Sequence, residues 1–261
     1  MLFDEHRLTQ DLQRNPCFQQ LHYFAETPST NQFLLDQMHP NGTVCLADTQ
    51  TQGRGQHGRA WVSPSTGNLY ASMAWRFTTQ TPLQTLPLWC AITLVEALGA
   101  LGFVGLQLKW PNDVLFNGQK LAGILLESMT RGAQTYVVVG LGLNLRLPAY
   151  VASSIDQPYC DLTQVKPSAA GDFDVTRISA HVLSAMLSML SQFPTPRDLA
   201  EAWAQYDRFK HQTVLFEWSP QQRLQGTGLG VDEAGAYRVS DGTQTYSLCL
   251  GQHRLRLAKN T

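Results

Sequence analysis

The sequence predicts an α+β fold that ends in an all-β segment, on three observations. Strand-like and helix-like stretches fall in separate blocks instead of alternating as βαβ units. Asn117-Gly118 sits between two apolar runs and supplies the two positive-φ positions of a type I′ hairpin turn. Over residues 213–257, short β-branched and aromatic runs alternate with Gly, Asp and Ser turns, the spacing of a small barrel. At 261 residues with 43% hydrophobic content, the chain can bury one large core, or a large one and a small one.

In chain order, residues 4–14 mix polar and apolar positions like a short surface helix, and 21–25 reads as a strand. Pro28-Ser29-Thr30-Asn31 opens a helix that ends near Met38, and 43–49 is a second strand. A Gly/Arg loop over 53–59 follows, then a strand over 69–75 and an Ala/Leu-rich buried helix over 86–101. Residues 106–110 form a strand, 114–116 and 120–127 form the hairpin, and 136–145 forms another strand that carries Gly140 and Gly142. Helices return over 175–193 and 196–209. The expected division is residues 1–211 and 212–261.

Composition narrows the function classes. A net charge of −1 with 15% charged residues gives no footprint for nucleic acid or an acidic membrane. The N-terminus has no basic-then-apolar leader, and no apolar run nears the roughly 20 residues of a membrane span. Five cysteines, odd in number and without a Cys-x-x-Cys pair, read as reduced thiols of a cytoplasmic protein. The seven histidines show no metal-ligand spacing.

Four segments could carry chemistry. Gly53-Arg54-Gly55-Gln56-His57-Gly58-Arg59 follows a strand; its glycines allow a tight backbone approach and its arginines offer planar donors to carboxylate or phosphate. The bland alternative is a hairpin tip with solvated arginines, and no Gly-Lys-Ser/Thr follows to make it a P-loop. Lys109-Trp110-Pro111-Asn112-Asp113 places a cation, an amide and a carboxylate around a stiff proline, suited to phosphates and Mg²⁺, although Asn and Asp also simply close turns. Lys120-Leu121-Ala122-Gly123-Ile124-Leu125-Leu126-Glu127 has one lysine at the mouth of an apolar strand. Its mid-strand glycine suggests a close neighbour. Gly140-Leu141-Gly142-Leu143-Asn144 ends a strand with no helix after it, which excludes a dinucleotide fingerprint.

Together, in this order, these segments with Ser29-Thr30-Asn31 and Gln50 resemble the biotin protein ligase family, from about Leu21 to the C-terminus. The resemblance implies a class II synthetase-like catalytic domain with a mixed or antiparallel sheet, followed by a small SH3-like β-barrel. It implies biotin and ATP as substrates, Mg²⁺ with the ATP, and biotinyl-5′-AMP as the activated acyl group. Ser29, Thr30 and Gln50 would hydrogen-bond the ureido ring, in one binding set with Asn31, Gly123, Gly140 and Gly142. Arg54, Gly55 and Gln56 would close over the biotin carboxylate and the forming phosphate ester, and Lys120 would hold that carboxylate. Lys109, Asn112, Arg59 and Asp113 would serve the phosphates, with Asp113 on the metal. Lys120, Arg54 and Lys109 would be the catalytic cations. Asn144 would reach the adenine, Tyr159 would cap it, and Arg256 would approach the site from the barrel. Some relatives have arginine at both central loop positions, where this chain has Gln56 and His57; Gln56 can donate to an oxyanion but brings no charge, and His57 reads as a solvated loop residue.

The family's acceptor is a biotin carboxyl carrier domain. A homodimer through an exposed sheet edge is compatible with the resemblance. Only 28 residues precede Ser29, so no winged-helix DNA-binding domain, and no DNA binding, is expected of this chain. The nearest rival is a lipoate or octanoate ligase of the same superfamily, against which the polar ureido-binding set argues. A non-catalytic biotin-binding module would need losses at Lys120 or Lys109. The loop over 53–59 and the stretch over 149–172 are expected to order only with ligand.

Overall fold

The computed structural model describes residues 2–65, 68–148, 150, 155, 157–165, 173–219, 222–251 and 254–258; within these, the side chains of His57, Trp218, Ser219 and Arg254 lie outside the description. Part of the 149–172 stretch is therefore not described.

The larger layer is a seven-stranded mixed sheet. In chain order its strands are β1 (Gln20–Thr27), β2 (Thr43–Gln50), β3 (Leu69–Thr78), β4 (Leu106–Lys109), β5 (Asp113–Phe116), β6 (Gln119–Arg131) and β7 (Gln134–Leu143). In space the order is β1-β2-β3-β7-β6-β5-β4. Only β1 and β2 run parallel; the remaining neighbours are antiparallel. The hairpin between β5 and β6 turns at Asn117 (φ 50°) and Gly118 (φ 77°), as a type I′ turn requires.

The period-2 alternation of the strands assigns each face. Val44 and Leu46, Ala71 and Met73, and Val137, Val139 and Leu141 point into the main core. This core holds α3 (Leu86–Ala100), α4 (Val175–Ser191) and α1 (Glu5–Gln13). The alternate positions Cys45, Ala74 and Val138 face a smaller cluster under α2 (Thr30–Asp36). α2 is short and leaves the rest of that face open, which positions the site. Leu83–Ala100 is long and apolar enough to cross a bilayer, which the reading of the sequence did not register; 61% of it is buried inside the protein, as a core helix would be. α5 (Leu199–Ala204) is shorter than expected because residues 206–208 leave the helix to pair with β4: Leu108 N donates to Tyr206 O at 2.7 Å and Arg208 N to Leu108 O at 2.9 Å.

The C-terminal strands β8 (Thr213–Ser219), β9 (Gln222–Val231), β10 (Tyr237–Ser240), β11 (Thr245–Leu248) and β12 (Arg254–Leu257) form an antiparallel sheet ordered β11-β10-β9-β8-β12. Among the described residues its two ends are not paired to each other. It docks on the larger sheet through Trp110, which is 2% exposed. The Trp110 indole donates to Gly235 O at 3.1 Å and its ring lies 6.0 Å from Tyr237. Tyr237 OH donates to the half-buried Asp207 carboxylate at 3.0 Å. Burial raises the pKa of Asp207, and burial together with that carboxylate raises the phenol of Tyr237.

Candidate functional site

One row of paired residues runs across the sheet: Lys109 opposite Asp113, Asp113 opposite Gly123, Gly123 opposite Gly142, and Gly142 opposite Tyr70. The two glycines lie side by side because a ring lies over both. A Cβ on Gly142 would come within 2.4 Å of the Trp61 indole, and one on Gly123 within 2.9 Å. Two residues back along β7, Gly140 pairs with Ser72, and a Cβ there would lie 2.3 Å from Asn31 Oδ1. The mid-strand glycines thus mark two close approaches, one by an aromatic ring and one by a buried amide.

The sequence folds the Gly/Arg loop back onto this floor. Gly55 N donates to Arg59 O at 2.7 Å and Trp61 N to Gly53 O at 2.9 Å, with a single 3-10 turn over Gln56–Gly58. The loop, the start of α2 and the glycine floor enclose a cleft of about 150 Å³. Of the expected residues, Ser29, Thr30, Asn31, Gln50, Arg54, Gly55, Gln56, Arg59, Asn112, Asp113, Lys120, Gly123, Gly140 and Gly142 line it. Lys109 and Arg256 line an adjoining cavity reached past Gln56, Arg59 and Asp113, between the two sheets. Asn144 and Tyr159 line a third, which shares Arg59, Trp61 and Lys120 with the cleft. The expected set therefore occupies three contiguous hollows around Arg59.

At one end of the cleft is a polar set. Thr30 N donates to Gln50 Oε1 at 2.9 Å and Gln50 Nε2 to Ser63 Oγ at 3.1 Å. Ser72 Oγ lies 2.7 Å from Thr30 Oγ1 and donates to Asn31 Oδ1 at 2.5 Å. Ser29 caps α2, accepting from Gln32 N at 3.4 Å, as Ser does at helix starts. At the other end is positive charge. Lys120 Nζ sits 2.7 Å from Asp113 Oδ1 and 5.2 Å from the centre of the Trp61 ring, and Lys109 Nζ lies 3.7 Å from Asp113 Oδ2. Arg54, Arg59 and Lys120 line the cleft with Lys109 beside it, against two carboxylates, Asp113 and Glu127. That excess suits an anionic ligand.

Two expected ligand contacts are engaged with the protein's own backbone. Asn112 Nδ2 donates to Ile124 O at 2.5 Å. Asn144 Nδ2 donates to Cys160 O at 3.0 Å and Lys120 O at 3.4 Å, holding the segment that carries Tyr159 against Lys120. That segment also runs beside Lys120, with Lys120 N donating to Pro158 O and Cys160 N to Lys120 O. Among the described residues no group of three or more His, Cys, Asp or Glu could hold a metal ion. The donor set fits a metal that arrives on phosphate oxygens and meets Asp113, since Mg²⁺ needs only one or two protein carboxylates there.

Three contributors were not foreseen. Trp61, whose buried indole N–H has no protein partner, reads in sequence as one apolar residue after a loop. Ser72 reads as a strand residue. Glu127 reads in sequence as the end of the lysine strand but lies within β6, and its carboxylate accepts from Asn31 and Arg54. The Gly123 signal pointed to a close neighbour without identifying it.

A polar set facing a cationic cleft, on the open face of a mixed sheet, defines a binding site with hydrogen-bonding groups at one end and positive charge at the other. The pattern that describes the biotin/lipoate A/B protein ligase family matches residues 23–144, which carry nearly all of this set. Over those residues the chain is similar to that family. It is 32% identical over 215 residues to the bifunctional ligase/repressor BirA of Escherichia coli, a match covering 80% of this chain and 65% of BirA, a little under two thirds of that relative's length. It is 29% identical over 248 residues to the biotin–[acetyl-CoA-carboxylase] ligase of Mycobacterium tuberculosis, covering 90% of this chain and 88% of that protein. Its fold matches the biotin protein ligase of Aquifex aeolicus in complex with biotin and ATP at a TM-score of 0.74 and 25% identity, covering 92% of this chain and all of that one.

Proposed function

We propose that the chain is a biotin protein ligase that forms biotinyl-5′-AMP from biotin and ATP and transfers biotin to a lysine of a biotin carboxyl carrier domain. The observation that carries the reading is the division of one cleft into a hydrogen-bonding end (Thr30, Asn31, Gln50, Ser72) and a cationic end (Arg54, Arg59, Lys120). A ureido ring with a carboxylate tail matches both ends, and the Aquifex relative binds biotin and ATP.

In the first step a biotin carboxylate oxygen attacks the α-phosphorus of ATP, and the bond to pyrophosphate breaks. Two anions must meet before charge builds on the leaving group, so fixed cations aimed at that charge would supply much of the acceleration. Lys120 and Arg54 would draw the carboxylate in, Lys109 and Arg59 would hold phosphates, and Asp113 would meet Mg²⁺ carried by the nucleotide. In the second step the neutral acceptor amine attacks the acyl carbon, AMP leaves and the amine gives up a proton. No Ser or Cys nucleophile is required, because the mixed anhydride is already activated. Tyr159 and Asn144 would flank the adenine in the third hollow, and Arg256 would reach the phosphates from the C-terminal sheet. We further infer a cytoplasmic location, which the five free thiols favour and fractionation would check.

The test is exchange of labelled pyrophosphate into ATP, with biotin, lipoate and octanoate in parallel. Exchange with biotin alone is expected. Exchange with lipoate only would move the chain to the neighbouring ligases, and none with any of the three would leave a binding module.

A further inference from the structure

We propose that Glu127 is a positioning residue for this reaction: its carboxylate ties the loop arginine to the ring-binding set, so that folding of the Gly/Arg loop and alignment of the polar end are one event. The inference rests on the ligase reading above.

One oxygen makes both connections. Glu127 Oε2 accepts from Asn31 Nδ2 at 2.8 Å and from Arg54 Nη2 at 3.1 Å. Glu127 is at the right place because β6 presents Gly123, Leu125 and Glu127 to the open face in alternation, opposite Gly142, Gly140 and Val138. From Asn31 the contacts continue through Ser72 and Thr30 to Gln50, and from Gln50 through Ser63 Oγ to Trp61 O at 3.0 Å. The path leaves the loop at Arg54, crosses the cleft floor and returns to the same loop at Trp61. Both ends of the loop are therefore anchored to one network.

An isolated ion pair between side chains 39% and 28% exposed would contribute little. What distinguishes this one is the second donor. Asn31 is 4% exposed, and its amide is held over Gly140 with no room for a side chain beneath. Moving the carboxylate thus moves a buried group that lines the cleft. Arg54 has five N–H donors, and the bond to Glu127 leaves others for a carboxylate or phosphate. Glu127 is not among the residues that line the cleft, whereas Arg54 and Asn31 are; it acts through them.

The test is steady-state pyrophosphate exchange with Glu127→Ala and Glu127→Gln, measuring KM for biotin and for ATP separately, with thermal unfolding alongside. Loss of a charge-assisted bond that aligns the site should raise the biotin KM on the order of tenfold in Glu127→Ala. The ATP KM should stay within about twofold, because Lys109 and Asn112 make no bond to Glu127. Glu127→Gln keeps an acceptor for Asn31 and should recover part of the loss. Combined with Arg54→Ala, Glu127→Ala should cost less than it does alone, since the link from loop to ring-binding set is already broken and only the Asn31 bond remains to be lost. A biotin KM unchanged in Glu127→Gln and Glu127→Ala, or equal rises in both KM values, would overturn the inference. Should Glu127→Ala fail to fold, Glu127→Gln carries the same readout. A wild-type chain without biotin-dependent exchange would instead sink the ligase reading, which separates the two failures.

Discussion

Gly140→Ala puts the site's geometry to a direct test. The added methyl would lie 2.3 Å from Asn31 Oδ1, 2.9 Å from its Cγ and 3.0 Å from its Nδ2, so the amide must retreat by about 1 Å to reach ordinary contact. Retreat strains two bonds at once: the 2.5 Å bond from Ser72 and the 2.8 Å bond to Glu127. Each such bond contributes about 0.5–1.5 kcal/mol net, and a buried polar atom left unpaired costs about 1–3 kcal/mol. The expected destabilisation is therefore about 2–4 kcal/mol, a fall in Tm of roughly 5–15 °C for a chain of this size. Biotin binding, followed by calorimetry, should weaken at least about tenfold, because the lost alignment lies at the hydrogen-bonding end. The decisive comparison is the double variant. With Asn31→Ala present the methyl has space, so Gly140→Ala should then cost less than about 1 kcal/mol further. Additive losses in the double variant, or a single variant with wild-type Tm and affinity, would refute the claim that Asn31 is why glycine stands at position 140.

Three further outcomes follow from the same geometry. Gly142→Ala should displace Trp61 from the floor, since its Cβ would meet the indole at 2.4–2.8 Å; a shift in tryptophan emission together with a raised biotin KM is expected, and an unchanged spectrum with unchanged KM would count against the packing. Asp207→Ala should lower stability by about 2–5 kcal/mol, because Tyr237 OH and Phe209 N–H both lose their acceptor. Asp207→Asn, which relieves a carboxyl whose pKa burial raises, should be tolerated at neutral pH, and urea melts distinguish the two. His39 packs 5.2 Å from His22, and burial and then that neighbour lower its pKa. The folded state thus binds fewer protons than the unfolded chain: the contribution is intact above the ordinary value of 6.5 and is lost as pH falls below it. Tm should drop between pH 7.5 and 5.5 by less in His39→Gln than in wild type, as differential scanning fluorimetry can read.

How much of this was legible beforehand follows a physical rule. The strands of the larger sheet and their pairing hairpin were readable because period-2 burial and the Asn-Gly turn are local signals. Gly123 announced a close neighbour and Gly140 and Gly142 were noted only as glycines in a strand, and the neighbours, Trp61 and Asn31, come from a loop and a helix start far away in sequence, so nothing local identifies them. Glu127 reads as an ordinary acid at a strand end, since its role depends on Arg54, 73 residues away. The helix expected over 196–209 stops at Ala204 because the backbone of residues 206–208 finds a better partner in Leu108. Helical periodicity does not report a competing strand edge. Ligand roles are the least legible: Asn112 and Asn144 have the chemistry to meet phosphate or adenine, but both side-chain amides are occupied with main-chain carbonyls, which sequence cannot reveal.

The same logic explains why a small C-terminal sheet belongs to this site. Lys109 and Asp113 flank Trp110-Pro111-Asn112, and Trp110 is fixed by bonds to the other sheet: its indole to Gly235 O, its face to Tyr237, and Tyr237 to Asp207 beside the strand that pairs with Leu108. Removing the C-terminal sheet would expose an indole that is now 2% accessible and leave the loop between Lys109 and Asp113 without its anchor. On the proposed reading, a loop that would present a lysine and a carboxylate to phosphates needs rigidity more than reach, because misplacement of about 1 Å can cost a hundredfold in rate. The C-terminal sheet would supply that rigidity from behind, and the proposed role of Glu127, with the glycine floor, would supply it at the hydrogen-bonding end. The two halves of the proposed reaction are thus held by separate parts of the fold, and they meet at Lys120, which contacts Asp113 on one side and Trp61 on the other.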